Sequence, residues 1–321
     1  MAQRVETAPD HEDFARHTEP FRRELLAHCY RVLGTLDEAE DLVQETYLRA
    51  WRAYDRFEGR SSIRTWLYRI ATNACLTALE NRGRRPLPSG LGAPATDPDT
   101  EPELAPGIVW LQPIPADPAT VVAERDTLRL ALVASLQHLP ARQRVVLILR
   151  DVLAWPAADV AELLGTSTAA VKSTLQRARA RMDEVAPAAD QVTEPTEPQS
   201  RALLEQYISA FENADPTALE RILREDAVLE VTPSRTWFAG RATCLPYLTR
   251  YALGEPGDWR MLPVSANGQP AAMAYRLGED GAHHVYGVAV LTTSPAGLAR
   301  ITVFGDPGLA ARFGCPDTLP R

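Results

Sequence analysis

Arginines set among aromatic rings are the first chemistry this chain offers. In Phe57-Glu58-Gly59-Arg60-Ser61-Ser62-Ile63-Arg64-Thr65-Trp66-Leu67-Tyr68-Arg69-Ile70-Ala71-Thr72-Asn73, a loop holding glycine and serines runs into a basic helix. Rings stack on unpaired bases while guanidinium groups hold phosphates. A base taken out of its stack needs a hydrogen-bonding group such as Asn73 at its pocket. The competing reading makes Trp66, Tyr68 and Ile70 plain core residues, and it suits Leu67 and Ile70 better than Trp66.

A second candidate is built for duplex. Trp155-Pro156-Ala157-Ala158-Asp159-Val160-Ala161-Glu162-Leu163-Leu164 reads as one helix, Gly165-Thr166-Ser167 as a turn, and 168–182 as the next helix. Ala161, Gly165 and Val171 stand where a helix-turn-helix needs a small residue, a left-handed turn residue and an apolar packing residue. Lys172, Ser173, Gln176 and Arg177 then lie in the first half of the second helix, from which side chains reach base edges and phosphates in a major groove. A helical hairpin that touches no DNA is the alternative, and the absence of acids from 168–182 speaks against it.

The third candidate is acidic: Asp37-Glu38-Ala39-Glu40-Asp41-Leu42-Val43-Gln44-Glu45-Thr46-Tyr47-Leu48-Arg49-Ala50-Trp51. Asp41, Gln44, Glu45 and Leu48 follow i, i+3, i+4, i+7 spacing and share a helix face. Leu42, Tyr47, Leu48 and Trp51 are expected to form an apolar stripe beside it. A solvated helix with acids near its N-terminal end is the alternative.

Helices must carry all three. Residues 12–82 read as helical, with no proline between Pro20 and Pro86. The stretch 86–118 is rich in proline and acids and has little capacity to bury apolar surface, except at Ile108-Val109-Trp110-Leu111, which is expected to dock. Helical periodicity returns over 119–185, and 187–198 is a second polar linker. After residue 200 the pattern changes to two helices, the second opening at Asp215-Pro216. Strands are expected at 227–232, 259–265, 271–277, 284–293 and 299–304, with a helix at 243–252 capped by Thr243. Helices on a curved antiparallel sheet make an α+β arrangement.

Composition sets limits. The chain has 321 residues, 45% of them hydrophobic and 24% charged, enough for about two or three globular domains. The net charge of −8 hides an asymmetry. From Arg60 to Arg85 there are six arginines and one acid, Glu80. The stretch 86–126 is acidic, and 168–182 is basic again. Two basic patches parted by an acidic stretch fit two contacts with a polyanion. The four cysteines form no CxxC pair, so zinc and disulfides are not expected. No apolar run is long enough to span a membrane and no secretory leader is visible, so a cytoplasmic protein is expected.

In this order and separation the three motifs resemble the sigma-70 family in its small, two-domain extracytoplasmic-function form, over about 12–185. The motifs that carry the likeness are Asp41-Leu42-Val43-Gln44-Glu45-Thr46 with Trp51, then Thr65-Trp66-Leu67-Tyr68-Arg69-Ile70-Ala71-Thr72-Asn73, then Leu139-Pro140 onward through the helix-turn-helix. The resemblance implies two partners, core RNA polymerase and promoter DNA, and no cofactor or metal. It implies polymerase clamp contacts at Asp41, Gln44, Glu45 and Leu48. It implies minus-ten contacts at Phe57, Arg60, Ser61, Ile63, Trp66, Arg69 and Asn73. The minus-thirty-five contacts would be Thr168, Lys172, Ser173, Gln176 and Arg177. The linker, longer than is usual in such small sigma factors, is expected to thread toward the polymerase active centre as a nucleic-acid mimic.

The C-terminal part resembles the SnoaL-like cone fold, through its element order, the run from Asp215-Pro216 to Glu230, and Trp237-Phe238-Ala239-Gly240. The fold class expected is therefore multidomain, with two all-α sigma domains followed by an α+β SnoaL-like cone. The boundaries read are 12–85 for region 2, 86–120 for the acidic linker, 121–185 for region 4, 186–198 for a second linker and 199–315 for the cone. His283 and His284 should face opposite sides of a strand, and a candidate ligand cavity is formed by Trp237, Tyr247, His284 and Tyr286. No complete catalytic set is visible, so the chain is read as a promoter-specificity factor regulated by its C-terminal domain, and not as an enzyme. The alternative is a SnoaL-like small-molecule enzyme with a DNA-binding regulatory front half.

Overall fold

The computed structural model describes residues 11–80, 83–116, 128–185 and 196–320. The start of the expected region 4 segment and most of the second linker lie outside the described residues. The chain forms two compact units, one from the described residues of 1–84 and 135–186, the other from those of 85–134 and 187–321.

The first unit is helical. Its front part holds α1 (His11–Thr18), α2 (Arg22–Leu33), α3 (Leu36–Ala53) and α4 (Ile63–Leu79). Gly34, at φ +83°, ends α2 and donates its N–H to the Tyr30 carbonyl, a left-handed stop that glycine adopts without strain. Thr35 then opens α3, and its hydroxyl donates to Glu38 at 2.9 Å. The buried face of α3 is Leu36, Ala39, Val43, Thr46 and Ala50, so the expected stripe of Leu42, Tyr47, Leu48 and Trp51 is not the core stripe. Tyr47 and Trp51 instead meet α1, where Phe14 lies edge-on to Tyr47, Trp51 and Tyr54 at 6.3, 5.2 and 5.1 Å. An 18-residue helix with two neighbours has two apolar flanks, and periodicity alone does not rank them. His28 is fully buried, with Nε2 3.0 Å from the Thr72 hydroxyl. Burial, helped by the charge of Arg31, pushes its pKa down to about 3, so it is neutral in the fold.

The rear part of this unit comprises the end of α5 (Leu130–Leu136), then α6 (Ala141–Leu147) with a π-helical turn (Ile148–Val152), α7 (Ala157–Leu163) and α8 (Thr168–Val185). Arg144 on α6 is buried. Its guanidinium donates to the Val32 carbonyl of α2, to the Gln137 side chain and to the carbonyls of Gln137 and Leu139. That set satisfies carbonyls at two helix ends with one cation.

The second unit is a sheet with helices. Its elements are α9 (Glu197–Glu212), α10 (Pro216–Ile222), β1 (Leu223–Thr232), β2 (Trp237–Ala239), α11 (Arg241–Tyr247) with a π-helical turn (Leu248–Ala252), β3 (Trp259–Ala266), β4 (Gln269–Leu277), β5 (His283–Ser294), β6 (Gly297–Phe304), α12 (Leu309–Arg312) and β7 (Thr318–Leu319). Asp215 caps α10 by accepting from the N–H groups of Thr217 and Ala218. The α11 helix starts after Gly240, not at Thr243. The strands run in the order β2-β1-β6-β5-β4-β3, with β7 on β5. All neighbours are antiparallel except β1 and β6, which are parallel, so the sheet is mixed and not wholly antiparallel as expected. The long excursion from β1 through β2, α11 and the β3–β4 hairpin brings the chain back beside its own first strand.

Both faces of this sheet are apolar. Leu229, Ala272, Ala274, Ala289, Leu291 and Ile301 belong to the core under α9–α11. Met273, Tyr275, Val288, Val290 and Phe304, which alternate with them, are buried as well. A sheet buried on both sides needs a second cover. That cover includes the segment read as a linker. Its Leu87, Leu111 and Ile114 are buried, and it clusters with the sheet unit.

Candidate functional site

The acidic face lies where its spacing put it. Asp41, Gln44 and Leu48 are exposed and Glu45 is partly so, all on the side of α3 away from the buried face. Glu45 holds Arg49 at 2.6 Å. Leu48 is 50% exposed, an apolar side chain among acids, which suits a protein partner better than solvent.

The loop into α4 is shaped by Gly59 at φ +68° and by Ser62, whose side chain accepts from the Thr65 N–H at 3.0 Å. Phe57 folds against Trp66 with ring centroids 4.8 Å apart. Trp66, Arg69 and Asn73 follow i, i+3, i+7 spacing on one face of α4, with Asn73 exposed at its far end. Ser61 and Ile63 are half-buried beside them, and exposed Arg60 pairs with Glu58. Leu67 is buried, as the core reading expects, and Tyr68 is buried too.

Sequence reasoning missed what α4 touches. Arg69 holds Glu162 of α7 at 2.6 Å. Arg64 makes a forked pair with Glu24 at 2.8–3.0 Å and lies over the rings of Tyr68 and Trp155, at 5.2 and 5.8 Å. Hydrogen bonds to Glu24 hold that guanidinium above its ordinary pKa, although burial works against it. Tyr68 and Trp155 themselves meet at 5.1 Å. Helix α4 is therefore packed against α7, the first helix of the helix-turn-helix, and against Trp155 just before it. No local signal marks a partner 93 residues away.

In the helix-turn-helix, Gly165 adopts φ +59°, and the Thr166 N–H donates to the Ala161 carbonyl at 2.9 Å. Ser167 caps α8 through the Ala170 N–H. Val171, Leu175 and Ala178 are the buried stripe. Thr168, Lys172, Ser173, Gln176 and Arg177 are all exposed on the remaining surface. Arg179, which adds to the positive count in the sequence, is matched by Asp151 at 2.8 Å.

Of the residues expected to line a cavity in the sheet unit, Tyr247 and Tyr286 share the helix-covered core, while Trp237 and His284 lie elsewhere. In the three-residue β2, Phe238 opposes Leu229 on the helix-covered face, so Trp237 opposes Glu230 on the other. There its indole N–H donates to the Gly92 carbonyl at 3.0 Å. A bulge in β5, opposite Ala274 and Tyr275, turns Tyr286 onto the helix side, where it meets Trp259 edge-on at 5.4 Å. The bulge needs Gly287, because a Cβ there would stand 1.9 Å from the Phe304 carbonyl oxygen. His284 sits at the exposed end of that strand, bound to Asp280 at 2.9 Å, and is not inside. It is His283 that is buried, with Nε2 2.9 Å from the Gly257 carbonyl. Tyr247 is buried against Phe238 at 4.3 Å.

The acidic segment is tied to this unit along its length. The Ser89 N–H donates to Glu230, a fully buried carboxylate that also receives Arg300. The Ala95 N–H donates to the Trp237 carbonyl at 2.8 Å. Asp99 takes Arg250, and Glu103 takes Arg235 at 3.2 Å. Leu104 forms an antiparallel bridge with Ser234. At the other edge, Asn267 in the β3–β4 turn exchanges hydrogen bonds with Ile114 and holds the Leu128 carbonyl. Among the described residues, no helix is long and apolar enough to cross a membrane.

Comparison with known proteins follows this division. Residues 18–85 match the family described as Sigma-70 region 2, and residues 129–182 match Sigma-70, region 4. The ECF RNA polymerase sigma factor SigG of Mycobacterium tuberculosis is 49% identical over 315 residues, which cover 96% of this chain and 85% of that one. The ECF RNA polymerase sigma factor SigW of Bacillus subtilis is 29% identical over 174 residues, 53% of this chain and 87% of that one. The crystal structure of the M. tuberculosis extracytoplasmic function sigma factor SigJ superposes with a TM-score of 0.62 at 23% identity, covering 94% of this chain and 99% of that one. The fold is thus two helical sigma regions followed by a SnoaL-like α+β cone.

Proposed function

This chain belongs to the extracytoplasmic-function RNA polymerase sigma factors, which bind core polymerase and direct it to promoters, and from that premise we propose that its C-terminal domain regulates it by holding the linker. One observation carries the proposal: residues 85–116 are committed to the sheet unit by buried apolar side chains and by hydrogen bonds at both sheet edges. Each fully buried Leu or Ile contributes roughly 1.5–3 kcal/mol, so Leu87, Leu111 and Ile114 make the clasp strong. A linker so held does not run through a polymerase channel. The two destinations exclude each other, and the domain sets how much of the chain is ready to join core enzyme.

The helical unit supports the same reading. Minus-ten and minus-thirty-five elements stand apart on the duplex by a distance that grows about 3.4 Å with each intervening base pair. With Arg69 on Glu162 and Tyr68 on Trp155, the two readers sit against each other and cannot span that distance. The ion pair is mostly exposed and contributes little, about 0–1 kcal/mol, so polymerase has little to overcome there.

Within this reading Asp41, Gln44, Glu45 and Leu48 bind the polymerase. Phe57, Arg60, Ser61, Ile63, Trp66, Arg69 and Asn73 capture the melted minus-ten strand. Thr168, Lys172, Ser173, Gln176 and Arg177 read the minus-thirty-five duplex, in a cytoplasmic protein without chemistry of its own. Losing one good base contact on α8 should cost about 1–3 kcal/mol and relax preference at one position. Asn73→Ala should act at a later step. Permanganate footprinting should show duplex binding retained and strand opening reduced; normal opening would remove Asn73 from the assignment.

A further inference from the structure

At the β2 edge of the sheet the acidic linker is held by residues whose chemistry suits another polyanion. Arg235 and Thr236 lead into β2, Trp237 opens it, and Arg250 and Tyr251 stand on the π-helical turn after α11. Among the described residues, the carboxylates paired with Arg235 and Arg250 are Glu103 and Asp99, and both belong to the linker. At least half of each arginine side chain is exposed. Pairs so exposed contribute little, so another anion can exchange for the two carboxylates. Tyr251 is 51% exposed; its ring lies 5.4 Å from that of Tyr247, and its hydroxyl donates to Asp99 at 3.4 Å. Trp237, half-buried, gives its indole N–H to the Gly92 carbonyl. Backbone contacts complete the strip: the Ala95 N–H donates to the Trp237 carbonyl, and the Glu103 N–H donates to the Thr236 hydroxyl at 2.9 Å. The strip thus already holds one acidic chain, with cations on its acids and a ring left open beside them.

We propose that Arg235, Trp237, Arg250 and Tyr251 form a binding surface for single-stranded DNA, and that Asp99 and Glu103 occupy its phosphate positions until a strand displaces them. Arginines beside open rings hold phosphates while the rings stack on bases, and stacking accepts any base. Duplex DNA keeps its bases stacked on one another and offers these rings no face. Promoter opening supplies the single strand. The surface is separate from the minus-ten and minus-thirty-five readers, which belong to the helical unit. It uses the observed contact between linker and sheet, and not the regulatory role proposed for that contact.

The test is photo-crosslinking of the full chain to an oligothymidylate of about 15 nucleotides carrying iodouracil, near the upper length that one such surface takes. Mapping the crosslinks by mass spectrometry separates this strip from Trp66 and its neighbours, and titrating the yield at Trp237 and Tyr251 gives the affinity of this surface alone. Unlabelled oligothymidylate should compete and duplex of equal length should not. Tyr251→Ala should weaken binding about tenfold. Arg235→Ala and Arg250→Ala should each reduce the log–log salt dependence by about 0.7. Asp99→Asn with Glu103→Gln removes the competing carboxylates and should strengthen binding at least about threefold. Crosslinks confined to residues 57–73, or none at all, would overturn the proposal. So would binding that the Asp99 and Glu103 substitutions leave unchanged, or a strip that takes oligouridylate and not oligothymidylate. No transcription is read, so any of these failures leaves the regulatory reading of the linker standing.

Discussion

Glu230→Ala should destabilise the C-terminal domain by about 3–5 kcal/mol, because it strands a buried cation. Glu230 is fully buried on β1, and Arg300 reaches it from the parallel strand β6 with 11% of its own side chain exposed. The Ser89 N–H donates to the same carboxylate at 3.1 Å, so the substitution also unfastens the start of the linker. Replacing both partners by methionine removes the charges together and should cost much less. Urea unfolding of the full chain measures the loss, and limited proteolysis across 85–116 reports the release. A loss below about 1 kcal/mol, the range of a surface pair, would mean that the pair does not anchor the linker.

Charge reversal at Asp41 and Glu45 together should weaken binding to core polymerase by about 10- to 100-fold, from about 1 kcal/mol or more per desolvated charge. Both lie on the outward face of α3, beside exposed Leu48 and away from Ala39, Val43, Thr46 and Ala50. The fold should therefore keep its melting temperature, as exposed substitutions generally do. Titration of labelled protein with core enzyme separates the outcomes. Affinity within about twofold of the parent would show that the polymerase docks elsewhere.

What could be read from the sequence was local. Gly165 and the i, i+3, i+4 run of Asp41, Gln44 and Glu45 each encode their own geometry within a few residues, and the structure places them accordingly. Strand windows such as 271–277 and 299–304 fall within β4 and β6 because alternation and turn residues act at short range. The parallel pairing of β1 with β6 was hidden, since strand direction depends on where the chain returns. Trp237 and His284 were placed in the wrong surroundings for a related reason: a three-residue strand and a bulge decide which face a side chain takes. The linker shows the limit most clearly. Its prolines and acids describe a chain unable to form its own core, yet Ala271-Ala272-Met273-Ala274-Tyr275 and Val288-Ala289-Val290-Leu291 are apolar on both faces of their strands. Two apolar faces require two covers, and the second includes the linker together with the C-terminal segment, where Pro316 accepts from the Tyr275 hydroxyl.

The most direct measurement locks that cover in place. Leu104 and Ser234 form a bridge flanked by hydrogen bonds from Ala105 to Pro233 and from Arg235 to Glu103. Residues so paired in antiparallel chains stand about 4.5–5.5 Å apart, within reach of a disulfide. A Leu104→Cys, Ser234→Cys variant is oxidised and assayed by run-off transcription with core polymerase, on a template that the reduced variant uses. Three of the native thiols, Cys29, Cys75 and Cys244, are buried, and oxidised parent protein serves as control for the rest. The account predicts that the locked chain loses core binding and transcription, and that dithiothreitol restores both. A locked chain that transcribes as well as the reduced one would contradict it.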